Sequence, residues 1–335
     1  MNDKLKLNLY DEDTVKWEHD GKLHCLRIQR DECSEGPREW DNITIMACWH
    51  RRYKLGDKID DKEPDDFWQR LVRENVPESE VFAAAEAGKL KGIRIAKNSE
   101  NPELVDVYET YHTNSVLGKS DHTECLEYEG IDKETAAYYL EGDLGIGHCM
   151  TLMEPYAEWL PLWLYDHSGI TMSCGSRTGQ YADRWDSGCV GWIVLLKKTI
   201  MEEVGTEYVL DENGDRIKVE HKHENGQSTW SFLTRPLTEE TWRKRAVEIM
   251  ESDVEVYDQY LTGSVYGFVL YEADPVEDDN SPDWNEVDST WGYYGENIIE
   301  NGICDEVGCG LLDAIRSGKY SVGKAELKTI SYWEF

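Results

Sequence analysis

Seventy consecutive residues, from Ala246 to Ile315, carry eighteen aspartates and glutamates but no lysine, arginine or histidine. The same stretch contains an amphipathic helix pattern, an apolar run over Val265–Ala273 and several aromatic side chains. Disordered acidic tails are poor in aromatic and apolar residues, so this composition predicts a folded surface of one sign. Folding such a surface costs electrostatic self-repulsion, and no cation within the stretch offsets that cost. Either the charge serves solubility, or a cationic partner meets it.

The whole chain is acidic as well, because its 335 residues carry 68 aspartates and glutamates against 35 lysines and arginines, a net charge of −33. Binding to phosphate requires clustered lysine and arginine, which argues against nucleic acid and anionic membranes as direct partners. Thirteen tryptophans and nineteen tyrosines, in a chain that is 40% hydrophobic, indicate a globular protein with a sizeable core. The charge favours a basic protein, or the basic DNA-binding channel of one, as the partner.

The nine cysteines are odd in number and form no dense framework of the kind that small secreted domains use. We therefore expect mostly free thiols in a reducing compartment. The first residues lack an apolar run of signal-peptide length, and the chain has no apolar run long enough to cross a bilayer. Together these observations predict a cytoplasmic protein.

Short alternating runs and separate amphipathic helices are mixed along the chain, which predicts an α+β fold with a largely antiparallel sheet and several helices packed on it. The polar stretch Thr113–Gly118 is the candidate boundary between an N-terminal α+β domain, residues 1–118, and an acidic C-terminal α+β domain, residues 119–335. The expected elements include strands over Lys4–Tyr10, Lys22–Gln29, Val190–Leu196 and Val265–Tyr271, a hairpin turn at Asp211–Asp215, and helices from Pro64 to before Pro77 and over Glu78–Ala87.

The clearest predicted helix begins near Thr238 and ends at Gly263. Its apolar side chains recur at spacings of three and four residues and form one continuous face. Four acids fall off that face and line up with one another: Glu248, Glu251, Glu255 and Asp258. After the next strand, Asp274–Asp288 is predicted to be an acidic polar loop.

Two places invite a catalytic interpretation. Asp166-His167-Ser168 puts three useful side chains together, but catalytic triads are assembled from separated positions, and Asp-x-Ser-Gly is an ordinary hairpin turn. His148 and Cys149 resemble half of a nucleophile pair, although no acid or oxyanion loop can be assigned to them. The sequence thus favours a turn at His167, a buried structural Cys149 and no catalytic residues.

The metal and cofactor motifs are incomplete. Cys304 and Cys309 are spaced near the range of zinc ligands, yet no second ligand pair lies nearby in the sequence. The Asp211–Asp215 segment lacks the spacing of a calcium loop and is better explained as a hairpin turn. The glycines of Gly142–Gly147 follow a predicted helix rather than a strand, which does not suit a dinucleotide site. We therefore expect neither a metal nor a cofactor.

The acids themselves are the remaining candidate site. DNA presents one phosphate charge per about 1.7 Å of helix axis, and carboxylates on a rigid surface can offer a DNA-binding protein a comparable potential. Such a DNA-mimic face would associate quickly and lose affinity as salt rises. The alternative is a solvated face that only confers solubility. The predicted partner-binding residues are Glu248, Glu251, Glu255, Asp258, Asp274, Glu277, Asp278, Asp279, Asp283, Glu286 and Asp288.

Three stretches of this chain, taken together, resemble uncharacterised acidic proteins of bacteriophages and mobile elements. They are Trp40–Asn42 with Cys48–Asp57, Leu164–Thr171 with Trp185–Gly191, and Glu255–Gly267. The resemblance covers about half of the chain in patches. It implies an origin in a mobile element, and it brings no catalytic residues that can be assigned here.

Three hypotheses follow from the charge and the resemblance. The first is a phage-encoded anti-defence protein of the host cytoplasm, which blocks the DNA-binding surface of a bacterial restriction, CRISPR or Gabija-type nuclease complex. The second is a non-catalytic interaction or scaffolding protein of the phage cycle, and the third is a cysteine/histidine hydrolase. The first predicts a bacterial DNA-binding protein complex as partner, with no direct contact to nucleic acid or membrane, and it leaves self-association into a homo-oligomer open.

Overall fold

Antiparallel pairing dominates the sheets of this chain, and helices pack beside them. The computed structural model describes residues 13–114, 120–182, 185–222, 228–276 and 282–324. Within those ranges there are eight α-helices and sixteen strands, so the prediction of an α+β fold is confirmed. In the same ranges no helix is long and apolar enough to span a membrane.

The strands are β1 (Asp13–His19), β2 (Lys22–Arg30), β3 (Ile45–Cys48), β4 (Ile93–Lys97), β5 (Val105–Asn114), β6 (Ser120–Ile131), β7 (Ala157–Asp166), β8 (Ile170–Cys174), β9 (Ser187–Leu196), β10 (Thr206–Tyr208), β11 (Lys218–Lys222), β12 (Ser228–Phe232), β13 (Thr234–Pro236), β14 (Val265–Ala273), β15 (Asn285–Tyr294) and β16 (Tyr320–Lys324). The helices are α1 (Pro64–Asn75), α2 (Glu78–Glu86), α3 (Lys133–Asp143), α4 (Ile146–Met153), α5 (Lys197–Thr199, continued by a wider turn over Ile200–Val204), α6 (Trp242–Leu261), α7 (Ile303–Val307) and α8 (Leu311–Ser317).

The chain forms two compact units that alternate along the sequence. Unit 1 takes its described residues from 1–42, 163–189 and 251–335, and unit 2 takes them from 43–162 and 190–250. The expected boundary after residue 118 separates β5 from β6, although these two strands pair over most of their length. The expected division into residues 1–118 and 119–335 therefore does not coincide with the units.

Unit 1 is built on a five-stranded sheet of order β15-β14-β2-β1-β16. A tight turn joins β1 to β2, with Asp20 and Gly21 both at positive φ. The strand expected over Lys4–Tyr10 lies outside the described residues, and β1 pairs with β2 instead. One face of the sheet packs on α7 and α8 through a core formed by Val15, Trp17, Leu26, Ile28, Tyr266, Phe268, Leu270, Ile298, Ile303, Cys304, Val307, Leu311, Ala314 and Ile315.

Strand β15 corrects the prediction of a polar loop over Asp274–Asp288, because its pairing with β14 begins within that stretch. The acids in its sequence are typical of a loop, whereas the aromatic residues that follow them pack against β14. Trp291 lies opposite Gly267 of β14, so close that a Cβ at Gly267 would be 2.2 Å from the indole ring. Tyr293 packs against Phe268 on the same sheet.

Unit 2 has a core shared by α1 to α4 and the sheet of order β4-β5-β6. Helix α1 follows its predicted signals, with proline in the first turn, Asp65 and Asp66 near the positive end of the dipole, and an end before Pro77. Trp68 is fully buried and meets Trp159 and Trp192 edge to face, at centroid distances of 5.2 and 5.8 Å. These aromatic contacts anchor α1 in the unit.

The predicted hairpin turn at Asp211–Asp215 is confirmed. The Asp211 carboxylate accepts hydrogen bonds from the backbone N–H groups of Asn213 and Asp215 at 2.8 and 2.9 Å, and Leu210 bridges Arg216. This is a turn held by its own aspartate, as expected for an Asx motif. Two-stranded ribbons, β10 with β13 and β11 with β12, extend from the same region.

Candidate functional site

The four acids predicted to line up on α6 have different surroundings. Glu251 and Glu255 are exposed. Glu248 is exposed but pairs within its own helix, with Arg245 at 3.1 Å and Lys244 at 3.9 Å. Asp258 is only partly exposed, and its carboxylate accepts a hydrogen bond from the backbone N–H of Met172 at 2.6 Å.

Asp258 is therefore a structural carboxylate that ties α6 to β8. Burial raises its pKa above the usual value, the hydrogen bond from Met172 acts in the opposite direction, and the nearby negative charge of Glu255 raises the pKa further. Of the four acids, Glu251 and Glu255 are the two that are exposed and form no ion pair among the described residues.

The remaining predicted acids lie on or near β15. Glu286 and Asp288 are exposed on the strand itself, and Asp274 and Asp283 are exposed on either side of the connection between β14 and β15. The other three predicted residues, Glu277, Asp278 and Asp279, lie outside the described residues.

Few cations reach this acidic segment. In the part of the chain that the structure describes, ion pairs from the Ala246–Ile315 segment involve three acids, Glu248, Asp253 and Glu272. Arg38 contacts Asp253 at 3.5 Å and Lys22 contacts Glu272 at 3.0 Å. Apart from Glu248, the exposed carboxylates of α6 and β15 are thus solvated charges that form no ion pair among the described residues.

Strand β15 also exposes apolar surface between its acids. Val287 is 48% exposed and Trp291 is 47% exposed, although both belong to a sheet. The strand ends the five-stranded sheet, so its outer edge pairs with no other strand in the described ranges. Exposed edges with apolar side chains favour contact with another chain, while flanking charges limit indiscriminate pairing.

The two catalytic interpretations gain no support from the side-chain geometry. His148 Nε2 lies 2.8 Å from the carbonyl of Lys91, whereas the Cys149 thiol points to the carbonyl of Leu144. Burial raises the pKa of Cys149 to about 12, so the thiol stays protonated at neutral pH, unlike an activated nucleophile.

His167 lies in the predicted turn. Its backbone N–H donates to the carbonyl of Gly169 at 3.1 Å, and Ser168 takes a positive φ of 59°. The Ser168 hydroxyl is 3.4 Å from His167 Nδ1, a local contact that the turn itself produces. These contacts match the turn interpretation of the sequence.

A cavity of about 260 Å³ in unit 2 combines acids with aromatic rings. Tyr128 stacks on Tyr139 at 4.5 Å and donates its hydroxyl to Asp143, which raises the pKa of Tyr128 to about 12. Glu141 also lines the cavity and is 7% exposed, and one of its carboxylate oxygens has no hydrogen bond within the described ranges. Burial, with a smaller effect of Glu78, raises the pKa of Glu141, and Arg73 opposes the shift.

One cluster of possible metal ligands joins residues that are far apart in sequence. His24, Glu272 and Cys309 each offer one ligand atom, and these three atoms lie within 4.8 Å of one another. Glu272 is opposite His24 in the pairing of β14 with β2, which the sequence alone does not reveal. Cys304, the other cysteine considered for zinc, lies instead in the core of unit 1, where burial raises its pKa to about 11.

The nine cysteines all lie within the described residues, and none of them forms a disulfide. Comparisons of the chain with protein-family models, with curated proteins and with solved structures found no match. The charges, contacts and burial of the chain's own residues are therefore the basis for inferring its function.

Proposed function

We propose that this protein inhibits a bacterial DNA-targeting defence complex by binding its DNA-binding surface. The observation that carries the proposal is the set of exposed carboxylates on α6 and β15 that have no counterion among the described residues. The set consists of Glu251, Glu255, Glu286 and Asp288. Restriction, CRISPR and Gabija-type nucleases are admissible targets, because each must hold DNA against basic side chains.

Binding to a basic surface would lower the electrostatic energy of the free protein. Like charges on one folded surface repel, so the free protein bears a cost that a basic surface would relieve. Helix and strand hold these carboxylates in fixed positions, which reduces the ordering cost of binding. Long-range attraction would then accelerate association, as it does for DNA itself.

The exposed apolar side chains of β15 supply the second part of the proposed interface. Exposed charge pairs contribute about 1 kcal/mol or less each, so acids alone give weak binding that salt reduces. Val287 and Trp291, at 48% and 47% exposure, offer surface whose burial is far less sensitive to salt. A partner with a basic groove and an apolar rim fits this edge best.

A capture experiment with two matched variants tests the proposal. The outer-face variant reverses Glu251, Glu255, Glu286 and Asp288 to lysine. The control variant makes the same charge change at four exposed acids of unit 2, Glu129, Glu202, Glu203 and Glu212. Tagged wild-type chain is incubated with lysates of cells that carry one defence system each, and captured proteins are identified by mass spectrometry.

We expect the wild type and the control variant to capture a DNA-binding complex that the outer-face variant does not capture. Purified, that complex should lose DNA binding as wild-type protein is added, and excess DNA should displace the protein. Capture of a partner whose DNA binding is unaffected would instead support an interaction or scaffolding role.

A further inference from the structure

We propose that His24, Glu272 and Cys309 form a binding site for a divalent transition-metal ion, with zinc as the ion that suits them best. Zinc is commonly bound by histidine nitrogen, carboxylate oxygen and cysteine sulfur in one site. These residues are not among the exposed acids, so the inference does not depend on the proposed function.

The spacing of the ligand atoms fits a tetrahedral ion. With metal–ligand bonds of about 2.0 to 2.3 Å, neighbouring ligand atoms are roughly 3.3 to 3.8 Å apart. His24 Nδ1 and Glu272 Oε1 are 3.6 Å apart, and no pair within the group exceeds 4.8 Å. No distance in the group therefore exceeds the tetrahedral range by more than about 1 Å.

His24 supplies the independent observation that points to a ligand. His24 is 3% exposed, and its Nδ1 atom is buried without a hydrogen bond among the described residues. Leaving a buried polar atom unsatisfied costs about 1 to 3 kcal/mol, so native structures rarely keep one without a reason. A metal ion between Nδ1, Glu272 and Cys309 removes that cost.

The surrounding residues hold the ligands in place. Trp17 stacks on the His24 ring at a centroid distance of 5.1 Å, and its indole N–H donates to the carbonyl of Cys309 at 2.7 Å. Lys22 binds Glu272 Oε2 at 3.0 Å, which leaves Oε1 directed at His24. Outer contacts of this kind orient the ligands of metal sites and strengthen them.

The loop that carries Cys309 is shaped to approach the sheet. Cys309 has a φ of 40°, and Gly310 follows with a φ of 69°. A Cβ at Gly310 would be 2.4 Å from His19 Nδ1, so only glycine lets the loop lie against the turn between β1 and β2. His19 stands at the entrance, its ring centroid 6.3 Å from that of His24, where a fourth ligand or a water would enter.

The proposed ion has a structural consequence. It joins the β1–β2 hairpin, β14 and the loop between α7 and α8, which are separated by up to 285 residues of chain. Metal binding to a folded site stabilises the fold by mass action, and the effect grows with free metal concentration. Zinc should therefore raise the unfolding temperature of the full chain.

The test uses reduced, full-length protein that has been stripped with a chelator and then titrated with zinc chloride alone. We expect one equivalent to bind and the unfolding temperature to rise by several degrees. Cobalt chloride should give an absorption band for charge transfer from thiolate to cobalt. Cys309→Ser and Glu272→Gln should each weaken zinc binding at least tenfold, and Cys33→Ser, at an exposed cysteine, should not.

A measurement on the wild type covers the case in which a ligand variant fails to fold. Zinc should protect Cys309, but not Cys33, from alkylation followed by peptide mapping. The proposal would be overturned if zinc binding did not saturate at one equivalent, or if the cobalt spectrum lacked the thiolate band. Equal alkylation of Cys309 with and without zinc would also overturn it.

Discussion

The carboxylates of unit 1 fall into two regions with opposite surroundings. On the outer side of α6 and along β15, Glu251, Glu255, Glu286 and Asp288 are exposed and have no counterion among the described residues. Elsewhere on α6 and β14, Asp258 binds the backbone of β8 and Glu272 meets Lys22 and His24. Glu255 and Asp258 are three residues apart in one helix, so sequence spacing does not tell an available acid from an engaged one.

Exposed acids and acids that form contacts within the fold must be altered separately in experiments. Reversal of an exposed acid changes the electrostatic field and leaves packing intact, whereas reversal of an engaged acid removes a contact that the fold uses. A variant that reverses both exposed and engaged acids could lose binding through the changed charge or through damage to the fold, and the two causes could not be separated. The outer-face variant therefore omits Asp258.

The largest effect in this comparison is expected for Asp258→Lys. It removes a hydrogen bond from a backbone N–H to a charged acceptor, worth about 1.5 to 3 kcal/mol, and puts a cation in a mostly buried position. The urea midpoint should fall markedly, while Glu255→Lys should leave it nearly unchanged. Equal midpoints for the two variants would contradict the distinction between engaged and available acids.

A smaller effect is expected when the apolar part of the β15 edge is disturbed without any change of charge. Gly267→Ala puts a methyl group 2.2 Å from the Trp291 ring, which must then swing away from the sheet. Overpacking of this kind typically costs about 1 to 3 kcal/mol. We expect a lower unfolding midpoint and weaker capture of the partner, and normal capture by a folded variant would show that Trp291 is not part of the interface.

Glu141 belongs to neither region, because it is buried and one of its oxygens lacks a hydrogen bond. The pKa of Glu141 is raised in the folded protein, so its charged carboxylate destabilises the fold at pH values above the folded pKa. This destabilisation disappears below pH 4.5, the ordinary pKa, where the carboxyl is protonated in both the folded and the unfolded state. Glu141→Gln should stabilise the protein by about 1 kcal/mol at neutral pH. Urea unfolding at several pH values should show the gain shrinking as pH falls, and a gain that is independent of pH would refute the assignment.

The smallest effects are expected for single reversals among the exposed acids. Glu251→Lys or Glu286→Lys alone should leave thermal unfolding unchanged, because exposed charges contribute little singly. Each should reduce partner affinity slightly, and the reductions should add, since these residues are separated and share no partner. Calorimetric titration of the single and double variants checks that additivity.

Local signals predicted much of the fold. Pro64 with Asp65 and Asp66 marked the start of α1, and the Asn213-Gly214 pair marked the hairpin turn. The spacing of apolar residues correctly predicted the buried face of α6. Strand β15 was missed because an edge strand exposed on both faces lacks the alternation of a half-buried strand. Its acidic composition also matches that of a loop.

The candidate sites were less predictable because they depend on contacts between distant segments. Asp258 meets Met172 across 86 residues, and the sequence contains no signal for that hydrogen bond. His24, Glu272 and Cys309 come together through strand register and a loop at positive φ, while Cys304 and Cys309 are close only in sequence. Metal-ligand motifs describe local spacing, so a site assembled from three separate segments escapes them.

The role of the exposed acids is tested by measuring the affinity for the captured complex at increasing salt. The wild type, the outer-face variant and the control variant are compared. Because both surfaces carry charge before contact, we predict that wild-type affinity falls steeply between low and moderate salt. The control variant should follow the wild type, and the outer-face variant should bind weakly at every salt concentration and leave the partner's DNA binding intact. A folded outer-face variant that binds and inhibits like the wild type would show that these acids are only a solvated face.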